Sequence, residues 1–184
     1  HTRVLEALGV PVAVVSRRPD VYKNQFGSVA EAVATWKPDY AIVADETTRH
    51  AKTLADLHTS GFRGKLLVEK PLWNPGEAAK GFDERSVFVA YQLRFDPLMI
   101  RLFDLIQGEK IVSMEVRACS YLPDWRPGRD YRKTESALLN AGGGVLRDLS
   151  HELDYISWLA GPWKRLVALG GKVSELEIET DDAW

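Results

Sequence analysis

Leu66-Leu67-Val68-Glu69-Lys70-Pro71-Leu72 decides how the rest of the chain is read. Three consecutive apolar residues read as a short buried strand. The strand stops at an acid, a base and a proline, because proline has no N–H to continue a ladder. In an open α/β sheet, ligands bind just beyond the carboxyl ends of the strands. The reading therefore places Lys70 where a site is expected.

Upstream of this strand the pattern repeats. Tyr40-Ala41-Ile42-Val43-Ala44 has the composition of a strand buried on both faces. A helix follows, capped by Thr47 or Thr48, with Ala51, Leu54, Ala55 and Leu57 on one face and Gly61 at its end. Ser28-Val29-Ala30-Glu31 is a capping box that opens a helix reaching Trp36. Val12-Ala13-Val14-Val15 is a strand that ends at Ser16-Arg17-Arg18. Residues 3–9 are a helix with Val4, Leu5 and Leu8 at helical spacing, closed by Gly9. Strand and helix alternating at this spacing predict a Rossmann-like, doubly wound parallel sheet.

Downstream, Pro75 to Lys80 is a short polar helix and Val87 to Tyr91 another strand. Asp96-Pro97 starts a helix whose apolar face is Leu98, Leu102, Leu105 and Ile106, ended by Gly108. The texture then changes. Ile111 to Cys119 alternates, with Val112, Met114, Val116 and Ala118 on one face, as in a one-sided antiparallel strand. A boundary near Gly108 divides a dinucleotide-binding domain, 1–108, from an α+β domain with a mainly antiparallel sheet, 109–184. The second contains a long loop, Tyr121 to Asn140, and a helix from Val145 to Leu159. Strands near Leu166–Leu169 and Leu176–Ile178 complete it.

The 184 residues are 45% hydrophobic and 27% charged, with a net charge of −2. That balance gives no general attraction for nucleic acid or an anionic membrane, and no apolar run approaches a membrane span. The one cysteine, Cys119, fits a reducing, cytoplasmic setting. His50, His58 and His151 are scattered, without metal-ligand spacing.

Chemistry is concentrated in Gly142-Gly143-Gly144-Val145-Leu146-Arg147-Asp148-Leu149-Ser150-His151. On one helix Asp148 and His151 share a face. A histidine is a suitable general base at neutral pH, and a carboxylate beside it can orient it. The plainer reading is an acid at a helix N-terminus and a satisfied histidine. The loop holding Trp125, Arg126 and Tyr131 is basic and aromatic; guanidinium forks suit carboxylate or phosphate, and flat rings suit sugar faces. A solvated loop with local salt bridges is its plainer reading.

Taken in order, Glu69-Lys70-Pro71, then Tyr91-Gln92-Leu93-Arg94, then the triple-glycine helix with Asp148, His151 and Asp154 resemble the glucose-fructose oxidoreductase / inositol dehydrogenase (Gfo/Idh/MocA) family. The segment from Ile42 to His50 resembles that family's strand ending beside the cofactor, and His1 to Leu5 the end of its glycine-rich segment. The resemblance implies a dehydrogenase moving a hydride between a sugar or cyclitol and NAD or NADP. It implies catalytic roles for Lys70, Asp148 and His151, with Lys70 on the reacting hydroxyl and His151 taking its proton. Glu46, Thr47, His50, Glu69, Lys70 and Gln92 would then face the cofactor. Lys70, Arg94, Trp125, Arg126, Tyr131, Asp148 and His151 would face the substrate. A homodimer or homotetramer, paired through the second domain, is implied too. The chain departs from the family pattern in having Gln92 where Asn is usual, His151 three rather than four residues after the acid, and no G-x-G-x-x-G loop.

An acid usually ends the second strand of such folds, whereas Ser16, Arg17 and Arg18 suit a 2′-phosphate and predict tolerance of, or preference for, NADP; the plainer reading is that Arg17 stacks on adenine and NAD stays competitive. The other function class considered is a sensor or scaffold that binds dinucleotide or sugar without turnover. In the strand order 3-2-1-4-5-6, a first strand preceding His1 would lie between Val12–Val15 and Tyr40–Ala44. The expectation is thus a chain incomplete at both ends, with those two strands not directly paired.

Overall fold

The computed structural model describes residues 1–74 and 83–184; the helix expected from Pro75 to Lys80 lies outside the described residues. The chain divides into two compact units. One comprises residues 1–45, 49–68 and 83–88; the other comprises 46–48, 69–74 and 89–184.

The first unit is mixed α/β. It begins with α1 (Thr2–Ala7), which closes as the sequence implies. Gly9 N–H donates to the Glu6 carbonyl at 2.9 Å and Val10 N–H to that of Leu5 at 2.9 Å, a Schellman pattern with Gly9 at φ +72°. Strand β1 is only Val14–Val15, shorter than the Val12–Val15 expected, and pairs in parallel with an unanticipated β2, Gln25–Phe26. Helix α2 (Val29–Trp36) has the predicted cap: Ser28 Oγ accepts from Glu31 N–H at 3.2 Å. The Glu31 carboxylate reaches back to Gly27 N–H at 3.1 Å.

β3 (Tyr40–Val43) and β4 (Lys65–Val68) pair in parallel, Tyr40 opposite Lys65 and Val43 opposite Val68. They flank no gap in register, so both strands end at the same edge. α3 (Thr47–Thr59) crosses between them, and β5 (Val87–Val89) adds to β4. The core of the unit is here. Leu54 and Val68 are fully buried, with Val43, Leu57, Phe62 and Leu66 around them. Each such side chain contributes roughly 1.5–3 kcal/mol through burial. The strands therefore form two small parallel sheets rather than one continuous doubly wound sheet, and β1 and β3 belong to different sheets.

The second unit departs further from expectation. A 3-10 turn, Gln92–Phe95, leads into α4 (Pro97–Leu105), whose predicted cap Asp96 accepts from Leu98 N–H at 2.8 Å and Met99 N–H at 3.2 Å. The alternating stretch 111–119 forms no strand, nor do 166–169 and 176–178. Among the described residues the unit's one antiparallel element is a single bridge, Gly171 to Ala183. Alternation supplies a face but not a ladder, and a ladder needs a partner. The long loop is built of 3-10 turns, at Leu122–Asp124, Tyr131–Lys133, Glu135–Ala137 and Leu139–Ala141. The helix expected from Val145 to Leu159 is two helices, α5 (Val145–Asp148) and α6 (His151–Ala160), broken at Leu149-Ser150. Among the described residues, no helix is long and apolar enough to cross a membrane.

Candidate active site

Lys70, Gln92, Asp148 and His151 all belong to the second unit. The chain leaves β4 at Glu69, and the Lys70-Pro71 peptide is cis. Lys70 Nζ donates to the backbone carbonyl of Asp148 at 2.6 Å and to that of Arg147 at 3.4 Å. Those carbonyls close the last turn of α5, where partial negative charge collects and a cation is favoured. The lysine therefore reads the backbone of the acid, while the carboxylate takes Ser136 as its hydrogen-bond partner.

The break after α5 changes how the acid and the histidine relate. They do not share one helix face; Asp148 ends one helix and His151 begins the next. His151 is half-buried, with the Tyr91 ring edge-on at 5.6 Å between centroids. Gln92 Nε2 lies 3.4 Å from His151 Nε2. With the Gln92 amide as donor, Nε2 is the accepting nitrogen and the ring proton sits on Nδ1, which is buried without a hydrogen-bond partner. Burial lowers the His151 pKa from its ordinary value, and the positive charge of Lys70 lowers it further, against Glu152, Asp154 and Glu69. Asp148 shifts the other way: burial raises it, opposed by Ser136, Lys70 and Arg126. The arrangement offers a neutral imidazole ready to accept a proton, within the field of an ammonium held on two carbonyls.

Glycines set the geometry beneath. A Cβ on Gly143 would lie 2.2 Å from the Glu135 carbonyl oxygen and 2.5 Å from that of Ser136. Gly144 sits at φ +121°, and its Cβ would meet the Asp181 carboxylate at 2.2 Å. Asp181 in turn receives Val145 N–H on its carbonyl and Leu146 N–H on its carboxylate, both at 3.0 Å. The triple glycine thus serves close packing at the start of α5. Nothing in the sequence signals Ser136 or Asp181 as supports of this site.

No family model matches the chain, and no curated protein matches it by sequence. Solved structures do resemble it. The WlbA (WbpB) dehydrogenase from Thermus thermophilus in complex with NAD and α-ketoglutarate superposes with a TM-score of 0.62 at 20% identity, over 88% of this chain and 58% of that one. Its complex with NAD and UDP-GlcNAcA gives 0.63, with the same identity and coverage. GenD2 from gentamicin A biosynthesis, in complex with NAD, gives 0.58 at 20% identity, over 98% of this chain and 49% of that one. The chain shares their fold. It spans about half to three-fifths of the length of these structures.

The remaining expected site residues fall into separate settings. Glu46, exposed, and Thr47, half-buried, belong to the second unit, where Thr47 adjoins Gly142. Glu69 is half-buried beside Lys70, whose N–H its carboxylate accepts at 3.3 Å. Arg94 is committed to Asp154 through two bonds, Nε to Oδ2 at 2.8 Å and Nη2 to Oδ1 at 2.6 Å. It thereby ties the Gln92–Phe95 turn to α6. Trp125, Arg126 and Tyr131 line an open pocket together with Ser136. In the first unit, Arg17 and Arg18 stand exposed just past β1, in a turn fastened by Gln25 Nε2 to the carbonyls of Ser16 and Arg18 at 3.3 and 2.6 Å. His50 is 1% exposed, its Nε2 3.1 Å from the Asp45 carbonyl, which places it in the core of the first unit. Among the described residues no group of three or more His, Cys, Asp or Glu side chains could hold a metal.

Proposed function

We propose that the chain belongs to a Gfo/Idh/MocA-type oxidoreductase that moves a hydride between a sugar or cyclitol carbon and NAD or NADP. The observation that carries this reading is the Lys70 ammonium seated on the Asp148 carbonyl, beside a histidine kept neutral by burial and by that same charge. Support comes from the shared fold with dehydrogenases whose structures hold NAD. Exposed Arg17 and Arg18 at the end of β1 suit the adenosine ribose or a 2′-phosphate on it. The sequence has no G-x-G-x-x-G to cradle the pyrophosphate, so the fit is to that end of the cofactor. Residues 1–108 are read as its domain and 109–184 as the substrate domain. Glu46, Thr47, Glu69 and Gln92 would line the nicotinamide side.

When bound, the nicotinamide accepts or returns the hydride. The protein's part is proton handling and charge. In oxidation, Lys70 Nζ donates to the reacting hydroxyl oxygen and stabilises negative charge as it develops there. His151 Nε2 takes the hydroxyl proton while the C–O bond becomes C=O; in reduction it returns that proton. Gln92 holds the ring until the hydroxyl replaces it, and Asp148 orients the substrate from the Ser136 side. Trp125, Arg126 and Tyr131 contact the substrate away from the reacting carbon. We place the protein in the cytoplasm, as a homodimer or homotetramer.

The test is formation of reduced nicotinamide, followed by absorbance over a panel of sugars and cyclitols with each cofactor. The expected result is turnover with at least one substrate and a higher kcat/KM with NADP. A strong NAD preference would remove the role given to Arg17 and Arg18; no turnover with any substrate would remove the enzyme reading.

A further inference from the structure

The loop that follows residue 120 holds more positive charge than its own structure uses. Between Leu122 and Thr134 there are four basic side chains, Arg126, Arg129, Arg132 and Lys133, against Asp124 and Asp130. Asp130 is taken by Arg132, with Nε at 2.8 Å, and lies 3.9 Å from Lys133 Nζ. Arg132 also reaches Glu177 at 3.1 Å. Arg126 and Arg129 form no ion pair among the described residues. Both line the same open pocket, with Trp125, Tyr131, Thr134 and Ser136.

The walls of this pocket are fixed before anything binds. Thr134 is buried and its hydroxyl donates to the Tyr131 carbonyl at 2.6 Å. The Tyr131 hydroxyl accepts from Glu177 N–H at 3.3 Å, and the Trp125 indole N–H donates to Ser120. Arg129 N–H donates to the Arg126 carbonyl at 3.0 Å, which keeps the two arginines at the ends of one tight turn. Two guanidinium groups in such a setting match the planar oxygens of a carboxylate or the tetrahedral ones of a phosphate. The pocket is also joined to the candidate active site. Ser136 lines it and hydrogen-bonds the Asp148 carboxyl, and the charge of Arg126 acts on that same carboxyl.

We propose that this pocket holds the anionic substituent of the substrate, a carboxylate or a phosphate, between Arg126 and Arg129, so that the substrate class is an acidic rather than a neutral sugar. The proposal rests on the oxidoreductase reading for the word substrate, and on the pocket alone for the anion. Calorimetric binding of glucuronate, glucose 6-phosphate and glucose, without cofactor, tests it in the wild type and in Arg126→Leu and Arg129→Leu. The expected result is a Kd for at least one anionic probe ten-fold or more below that for glucose, weakening with added salt. Each substitution should remove that advantage. Tighter binding of glucuronate assigns the carboxylate, and tighter binding of glucose 6-phosphate the phosphate. Equal affinity for all three probes in the wild type overturns the proposal whether or not the variants fold, as does an advantage that survives both substitutions. Anion-selective binding without nicotinamide turnover would contradict the oxidoreductase reading alone. Turnover of neutral sugars with no anion advantage would contradict this inference alone.

Discussion

At His151 three influences act in one direction. Its ring is half-buried, Lys70 places a positive charge near it, and it occupies the first position of α6, where the helix dipole disfavours a cation. Its pKa accordingly falls below the ordinary 6.5, with burial the largest cause. Oxidation needs the neutral ring, so kcat/KM should be level above that pKa and fall as pH drops through it. The midpoint of the acid limb is predicted below 6.5. Lys70→Met should move that midpoint up, because the charge opposing protonation is gone. A pH–rate profile checks both; a wild-type midpoint above 6.5, or one that Lys70→Met lowers, would contradict the arrangement. Lys70 and His151 are legible in the sequence because a strand-ending lysine and a glycine-led histidine helix are local patterns. Ser136 and Asp181 are not, since each acts through residues far along the chain, and no spacing reports such a pairing. Arg94, expected at the substrate, is paired with Asp154, a partner that its spacing along the chain does not announce.

At the scale of elements, capping chemistry was the most readable signal. Ser28 and Asp96 open helices, and Gly9 closes one, where local hydrogen bonding predicts. The break between α5 and α6 was not readable, because Leu146, Leu149 and Leu153 keep a helical rhythm straight through it. The glycine turn that leads into α5 packs against Glu135–Ala137, a tertiary constraint that no local rhythm reports. Gly143→Ala tests that constraint. Its Cβ would strike two backbone oxygens, which cannot step aside as a side chain would. A loss of about 1–3 kcal/mol is expected from overpacking. Gly27→Ala is the comparison: the added carbon there meets only the Glu31 carboxylate, at an ordinary 3.7 Å. Chemical denaturation should show Gly143→Ala the more destabilised of the two, and equal midpoints would show that the close approach does not matter. The expected antiparallel strands fail for the opposite reason: their alternation is clear, but a strand exists only through a partner's backbone.

On the scale of the whole molecule, those same segments leave apolar side chains in solvent. Val112 is 89% exposed and Val167 84%, and α4 exposes Leu98 and Leu105. Exposed apolar surface of this kind favours association, so light scattering is expected to show a dimer or tetramer that Val112→Asp weakens; a wild-type monomer at high concentration would contradict it. The parallel α/β character of the fold was legible, because buried strands and capped helices alternate along 1–89; its division into two sheets was not, since β2 carries no strand pattern. The account stands on Lys70 and His151 acting on one substrate hydroxyl. Its most direct test is the rate of nicotinamide reduction by wild type, Lys70→Met and His151→Ala with the best substrate of the panel. Lys70→Met should lower kcat about 10²–10³-fold and His151→Ala about 10²–10⁴-fold, with the double variant little worse than the poorer single one. Wild-type rates in either single variant would contradict it.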